Sequence, residues 1–249
     1  MTRTLVTTML GSVALATAAS ATTIDITSYS ASAFGDATAG LMDVSTTGFE
    51  REGLLLGESE VTPGGTLDTS VGSFETVGGT GSGGTVGQIA GNTGTNVAIR
   101  DGNVYGRTNT TAGGSYFLDS NDTFGIRWNA SNDGALFNTL VFTLMDASEY
   151  SFLRVIADGV TQEQRLGGRL GNGNTSIVEI SLATAVTSLT VELANFTTFG
   201  GSTNQLNDGF SIDDATIGLA PVPVPASLPL LALGAGTFAY LRRQKRKSS

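Results

Sequence analysis

The 249-residue chain contains no cysteine and no histidine. Together these absences rule out a Ser-His-Asp or Cys-His triad, histidine-ligated zinc, and haem or iron–sulfur ligation of the usual kinds. No disulfide can staple an exported form of the chain, so its stability must come from a sizeable core. Positive charge is scarce too. Thirteen Lys and Arg stand against 22 Asp and Glu, and six of those cations lie at the ends, as Arg3 and the five between Arg242 and Lys247. Residues 22–221 therefore keep seven arginines, no lysine and all 22 carboxylates, a net charge of −15. Phosphate binding depends on cationic side chains, so nucleic acid is not an expected partner. There is a single tryptophan, and no long internal stretch shows the three-four spacing of an amphipathic helix.

What is present is concentrated first at the two ends. Met1 to Ala21 carries one early charge, Arg3, then an apolar core (Leu5, Val6, MLGSVALATAA) and small residues at Ala19 and Ala21. This is the pattern of a signal peptide, cut by signal peptidase after Ala21. At the other end, Val222–Ala226 reads VPVPA and Ala226–Leu241 is free of charge. Arg242, Arg243, Lys245, Arg246 and Lys247 follow at once. With its Pro-spaced lead, the uncharged run approaches the ~20 residues of a transmembrane helix, and the basic end should stay cytoplasmic. Pro221, Pro223 and Pro225 hold the lead extended and deny it helix, which suits both a processing site and a stiff spacer.

The order of motif, apolar span and basic cluster at the C-terminus resembles the VPLPA-CTERM sorting signals of Gram-negative bacteria, relatives of the PEP-CTERM signals. The match runs through Val222, Pro223, Pro225 and Ala226, with Val224 where that signal has leucine. The resemblance covers about a tenth of the chain. It implies an exosortase-type processing enzyme as partner, a transient stay in the inner membrane, and delivery to the cell surface or an exopolysaccharide matrix. It says nothing of the binding chemistry of the cargo.

Between the ends, segments of short apolar or alternating residues are broken by Gly, Asn and Asp. TLVFTLMDA (139–147), SFLRVIADG (151–159), TSIVEISLA (175–183), TSLTVELANF (187–196) and GFSIDDATIGL (209–219) read as strands. Strand-like pieces also surround 23–28 and 97–100, separated by a glycine-rich interval over 78–94. Asp158-Gly159 is a hairpin cue. In the last segment Phe210 and Ile212 have one parity and Ala215, Ile217 and Leu219 the other, so a bulge is expected near Asp213-Asp214. The expected fold is all-β, an antiparallel β-sandwich or jelly roll over residues 22–219. A signal peptide (1–21) and a C-terminal sorting signal with a single transmembrane helix (220–249) flank it. About 200 residues suffice for such a core.

Two clusters offer carboxylate chemistry. Asp119, Asn121 and Asp122 precede a strand bearing Phe124, Ile126 and Trp128, and Asp208, Asp213 and Asp214 accompany the final strand. Both are candidate calcium loops, because Ca2+ takes oxygen ligands in flexible geometry. Turn capping by the same side chains is the competing reading. If Asp213 or Asp214 faces the core, a metal or a backbone donor must compensate the charge. Trp128 is the candidate stacking platform for a glycan, with core packing as its alternative. Tyr105, Tyr116 and Tyr150 are further stacking candidates, and Arg107, Arg127 and Arg154 are expected to pair with the chain's own acids. Carboxylate pairs such as Asp119 with Asp122 or Asp146 with Glu149 keep a glycosidase or lyase open. Nothing in their spacing singles out a catalytic residue. The leading expectation is a non-enzymatic structural or adhesive protein of a polysaccharide matrix, with a calcium-dependent glycan-binding module as the alternative.

Overall fold

A computed structural model describes residues 22–62, 64–80, 89, 91–147, 151–157, 160–166, 173–195 and 209–221. The expected signal peptide (1–21), residues 222–249 of the expected 220–249 sorting signal, most of the glycine-rich interval, Asp158-Gly159 and Asp208 lie outside the described residues.

Short elements fill the first half of the chain. They are β1 (Thr23–Ser28), α1 (Ala31–Thr38), β2 (Met42–Thr47), α2 (Glu50–Leu56), β3 (Ser59–Glu60), β4 (Leu67–Thr69) and β5 (Gly72–Thr76). Then come β6 (Ala98–Asp101), β7 (Asn103–Val104), β8 (Arg107–Thr108) and β9 (Tyr116–Asp119). Longer strands make up the second half: β10 (Gly125–Ser131), β11 (Phe137–Met145), β12 (Ser151–Ala157), β13 (Val160–Arg165), β14 (Thr175–Val186), β15 (Ser188–Asn195) and β16 (Ser211–Leu219).

The strands form two large antiparallel sheets. Sheet A runs β1-β14-β11-β16-β9-β6-β3, with β2 also on β16, and sheet B runs β13-β12-β15-β10-β5-β4. A small β7-β8 hairpin stands apart. The all-β expectation holds, and the two sheets share one apolar cluster. Alternation sets what each face presents. Ile126, Trp128 and Ala130 of β10 are buried while Arg127, Asn129 and Ser131 between them are half-buried. On β15, Leu189, Val191 and Leu193 likewise enter the core.

Trp128 lies at the junction of the sheets. Its ring stacks on Phe74 of β5 at 5.3 Å and meets Phe142 of β11 edge-on at 5.9 Å. β14 is an internal strand of sheet A, paired with β1 on one side and β11 on the other. The expected bulge is present: Val141 pairs with Thr216 but Thr143 with Asp213, one extra residue on β16. Asp214 takes positive φ there. β12 and β13 pair with Ala157 opposite Val160, as the Asp158-Gly159 cue anticipates.

Candidate functional site

The bulge turns Asp213 into the protein, where it is fully buried. Its Oδ2 accepts from Thr110 N (2.7 Å), Thr111 N (3.1 Å), Thr110 Oγ1 and Asn109 Nδ2. Its Oδ1 accepts from Asp214 N and Thr111 Oγ1. Backbone and hydroxyl donors thus supply the compensation that a buried carboxylate requires. They do not cancel the cost entirely, and burial, with the neighbouring Asp214 charge added, pushes the Asp213 carboxyl up to about 7. Glu50, at the start of α2, holds the other end of the same loop through Ser115 N, Tyr116 N and Asn109 Nδ2. The segment between β8 and β9 is therefore strapped down by carboxylates from two elements.

Asp119 is also fully buried, with Arg107 as its counter-charge at 2.9 Å. It accepts from Asn121 N and Ser211 Oγ as well. Asn121 spans to Asn92 and the Asn96 carbonyl. Asp122 and Arg107 close over Gly209, where an added Cβ would lie 2.3 Å from Asp122 Oδ1 and 2.1 Å from Arg107 Nη1, so a larger residue there would have to displace the ends of both side chains. The oxygens of Asp119, Asn121 and Asp213 are thus engaged by donors of the protein, and these two clusters form separate hydrogen-bonded networks. Among the described residues no three acidic side chains converge to hold a metal ion.

Trp128 is no surface platform. It is fully buried and its Nε1 donates to the Val71 carbonyl at 2.9 Å. Tyr105 is exposed, with the Arg107 guanidinium over its ring at 5.9 Å. Asp146 accepts from Gly173 N, whereas Glu149 and Tyr150 lie outside the described residues.

The outer face of sheet B carries an arrangement that strand periodicity alone does not reveal. Glu75, Arg127, Glu192, Arg154 and Glu163 are directly cross-strand neighbours on β5, β10, β15, β12 and β13. Their signs alternate, and every neighbouring pair is bridged. Arg127 contacts Glu75 (3.2 Å) and Glu192 (2.9 Å), and Arg154 contacts Glu192 (3.2 Å) and Glu163 (2.8 Å). Opposite charges facing each other across strands stabilise a sheet, so the arginines are neutralised from within.

The next row along the same face is uncharged over most of its width. Ser73, Asn129 and Thr190 are in register, with Asp68 beyond Ser73 and Ile156 beyond Thr190. These residues, with Ser131 and Ser188, line an open groove of about 730 Å³. Hydroxyl, amide and carboxylate groups can donate to and accept from a hydroxyl-rich ligand, while Ile156 offers apolar area. No cation lines the groove, so its chemistry suits a neutral ligand better than an anionic one.

No known family model matches the chain, and no curated protein is significantly similar to it.

Proposed function

We propose that this is an exported protein, delivered through its C-terminal VPLPA-like signal to the cell surface or an exopolysaccharide matrix, where it acts as a non-enzymatic adhesive component. The delivery half is supported by the order of Val222–Ala226, the uncharged run to Leu241 and the basic cluster after it. Exosortase-type processing and a transient inner-membrane stage belong to this reading.

The adhesive half is supported by one observation, the polar groove on sheet B beside a charge row that is already self-paired. Polysaccharides present closely spaced hydroxyls, and a groove built on paired strands can meet several of them at once without ordering a loop. Affinity electrophoresis through gels containing a neutral glucan or an acidic alginate tests this. Retardation by the neutral polymer, reduced about tenfold in the Ser73→Ala/Asn129→Ala double variant, supports it. Equal mobility of the two proteins in every gel would sink it. Retardation abolished by chelator would replace it with the calcium-dependent glycan module, and release of reducing ends would replace it with a glycosidase.

A further inference from the structure

The chain leaves the sandwich at a defined place. Ala220 is held by Asn138 on β11, its N donating to Asn138 Oδ1 at 2.7 Å and its carbonyl accepting from Asn138 Nδ2. Just before it, Gly218 lies so close to the start of β2 that an added Cβ would sit 2.9 Å from Leu41 Cβ, just ahead of that strand, and 3.2 Å from the Met42 carbonyl oxygen.

The same end gathers apolar side chains that no core covers. Eight large apolar or aromatic residues are exposed among the described residues, and four of them are Met42, Val44, Leu136 and Val160. Register places them together. Met42 pairs with Leu219 at the last residue of β16, and Val44 follows it on β2. Leu136 precedes Phe137, which pairs with Val186, and Val186 and Val160 line one cleft. Asn132 ties the turn before Leu136 to β2, accepting from Ser45 Oγ at 2.6 Å and donating to the Asp43 carbonyl. The exposed leucines Leu54, Leu55 and Leu56 lie elsewhere, on α2, which packs against β6 and β9.

We infer that this end of the sandwich, with Met42, Val44, Leu136 and Val160 as its contacts, rests on the surface of the lipid bilayer that holds the chain's own 226–241 run. The inference depends on that run spanning a membrane, as proposed above. The spacer supplies the distance. Only residues 221–225 separate Ala220 from Ala226, and three of the five are proline. At about 3.1 Å per residue in extended polyproline geometry they reach roughly 16 Å. The headgroup layer on one side of a bilayer takes up about 5–8 Å of that, so the exit end is held within about 8–11 Å of the headgroup surface, and closer by whatever part of the Pro-spaced lead enters the bilayer. Asp43 and Asp133 are exposed at the same end, which favours a zwitterionic over an anionic surface.

The lack of native cysteine makes the test clean. The full chain is reconstituted in phosphatidylcholine vesicles with a single fluorophore-labelled cysteine at Met42, Leu136, Val160 or Leu55, and quenching by headgroup-labelled lipid is read. Quenching at the first three sites several-fold above that at Leu55 is the expected result. Full chain that floats with the vesicles but shows no such difference overturns the end-on contact while leaving the anchor intact. Full chain that does not float with vesicles overturns the anchor, and the contact with it.

Discussion

Asp213 and Asp214 meet through one hydroxyl: Thr111 Oγ1 lies 3.2 Å from Asp213 Oδ1 and 2.6 Å from Asp214 Oδ1. A hydroxyl has a single hydrogen, and the shorter contact claims it. The longer contact leaves Asp213 Oδ1 the weaker share of that hydrogen. Burial, then the charge of Asp214, favours a proton on the Asp213 carboxyl. Tyr29 faces the same pair, and its phenol is raised by burial and by both carboxylates.

The unfolded chain releases the Asp213 proton near pH 4, whereas the folded chain keeps it to about 7. Stability therefore falls as pH rises from about 4 to about 7 and is level above, a span of roughly 4 kcal/mol for this group. Urea unfolding between pH 5 and 8 should show the decline. Asp213→Asn, which cannot titrate, should flatten it whatever its offset, and a variant with the wild-type slope would show that the proton resides elsewhere.

Glu60 acts in the opposite sense at lower pH. Burial opposes its ionisation, but the N–H groups of Thr93, Asn96 and Thr95 and the Thr93 hydroxyl outweigh this and lower its pKa. That contribution is present above the unfolded value near 4.3 and is lost as pH falls through the folded one. Glu60→Gln should therefore lose stability at pH 6, with the deficit shrinking as the pH falls below the unfolded value, as thermal melts across that range would show.

Glu192 is the midpoint of the charge row, bonded to Arg127 and Arg154 at once. It is only 7% exposed, so its two partners lose a shielded rather than a solvated charge. Glu192→Gln should cost about 1–3 kcal/mol, against about 0.2–1 kcal/mol for Glu163→Gln at the exposed end. Denaturant midpoints at low and high salt separate the two, with the terminal pair the more salt-sensitive.

Trp128 is the only tryptophan in the chain and reports on the core. Its emission should be blue-shifted in the folded protein and unchanged by saturating polysaccharide. Trp128→Ala should cost about 3–5 kcal/mol through the cavity between Phe74 and Phe142. Emission that shifts on polysaccharide addition would contradict its placement.

The second half of the chain was legible because its strands are long enough to display period two. β1, β10–β12 and β14–β16 fall where alternation or apolar runs put them, and the change of parity between Ile212 and Ala215 marks the bulge. Strands of two to four residues, such as β3, β4 and β7–β9, are too short for a period. α1 and α2 span eight and seven residues, about two turns each, and α1 buries none of its side chains, so no amphipathic stripe announces it. The acids near β9 and β16 were visible as clusters, but their donors come from Asn109–Thr111, Arg107 and Asn92, which only tertiary structure brings in. The charge row was invisible for the same reason, its five members being spread from Glu75 to Glu192 with no local signal.

Delivery through the C-terminal signal is the claim on which the rest depends. The most direct measurement is the intact mass and location of the chain expressed with and without a cognate exosortase. The account predicts loss of residues 1–21 in both hosts, and a second cut near Val222–Ala226 with release to the surface only when the exosortase is present. An intact C-terminus ending at Ser249 and retained in the inner membrane in both hosts would contradict it, leaving the tail a permanent anchor.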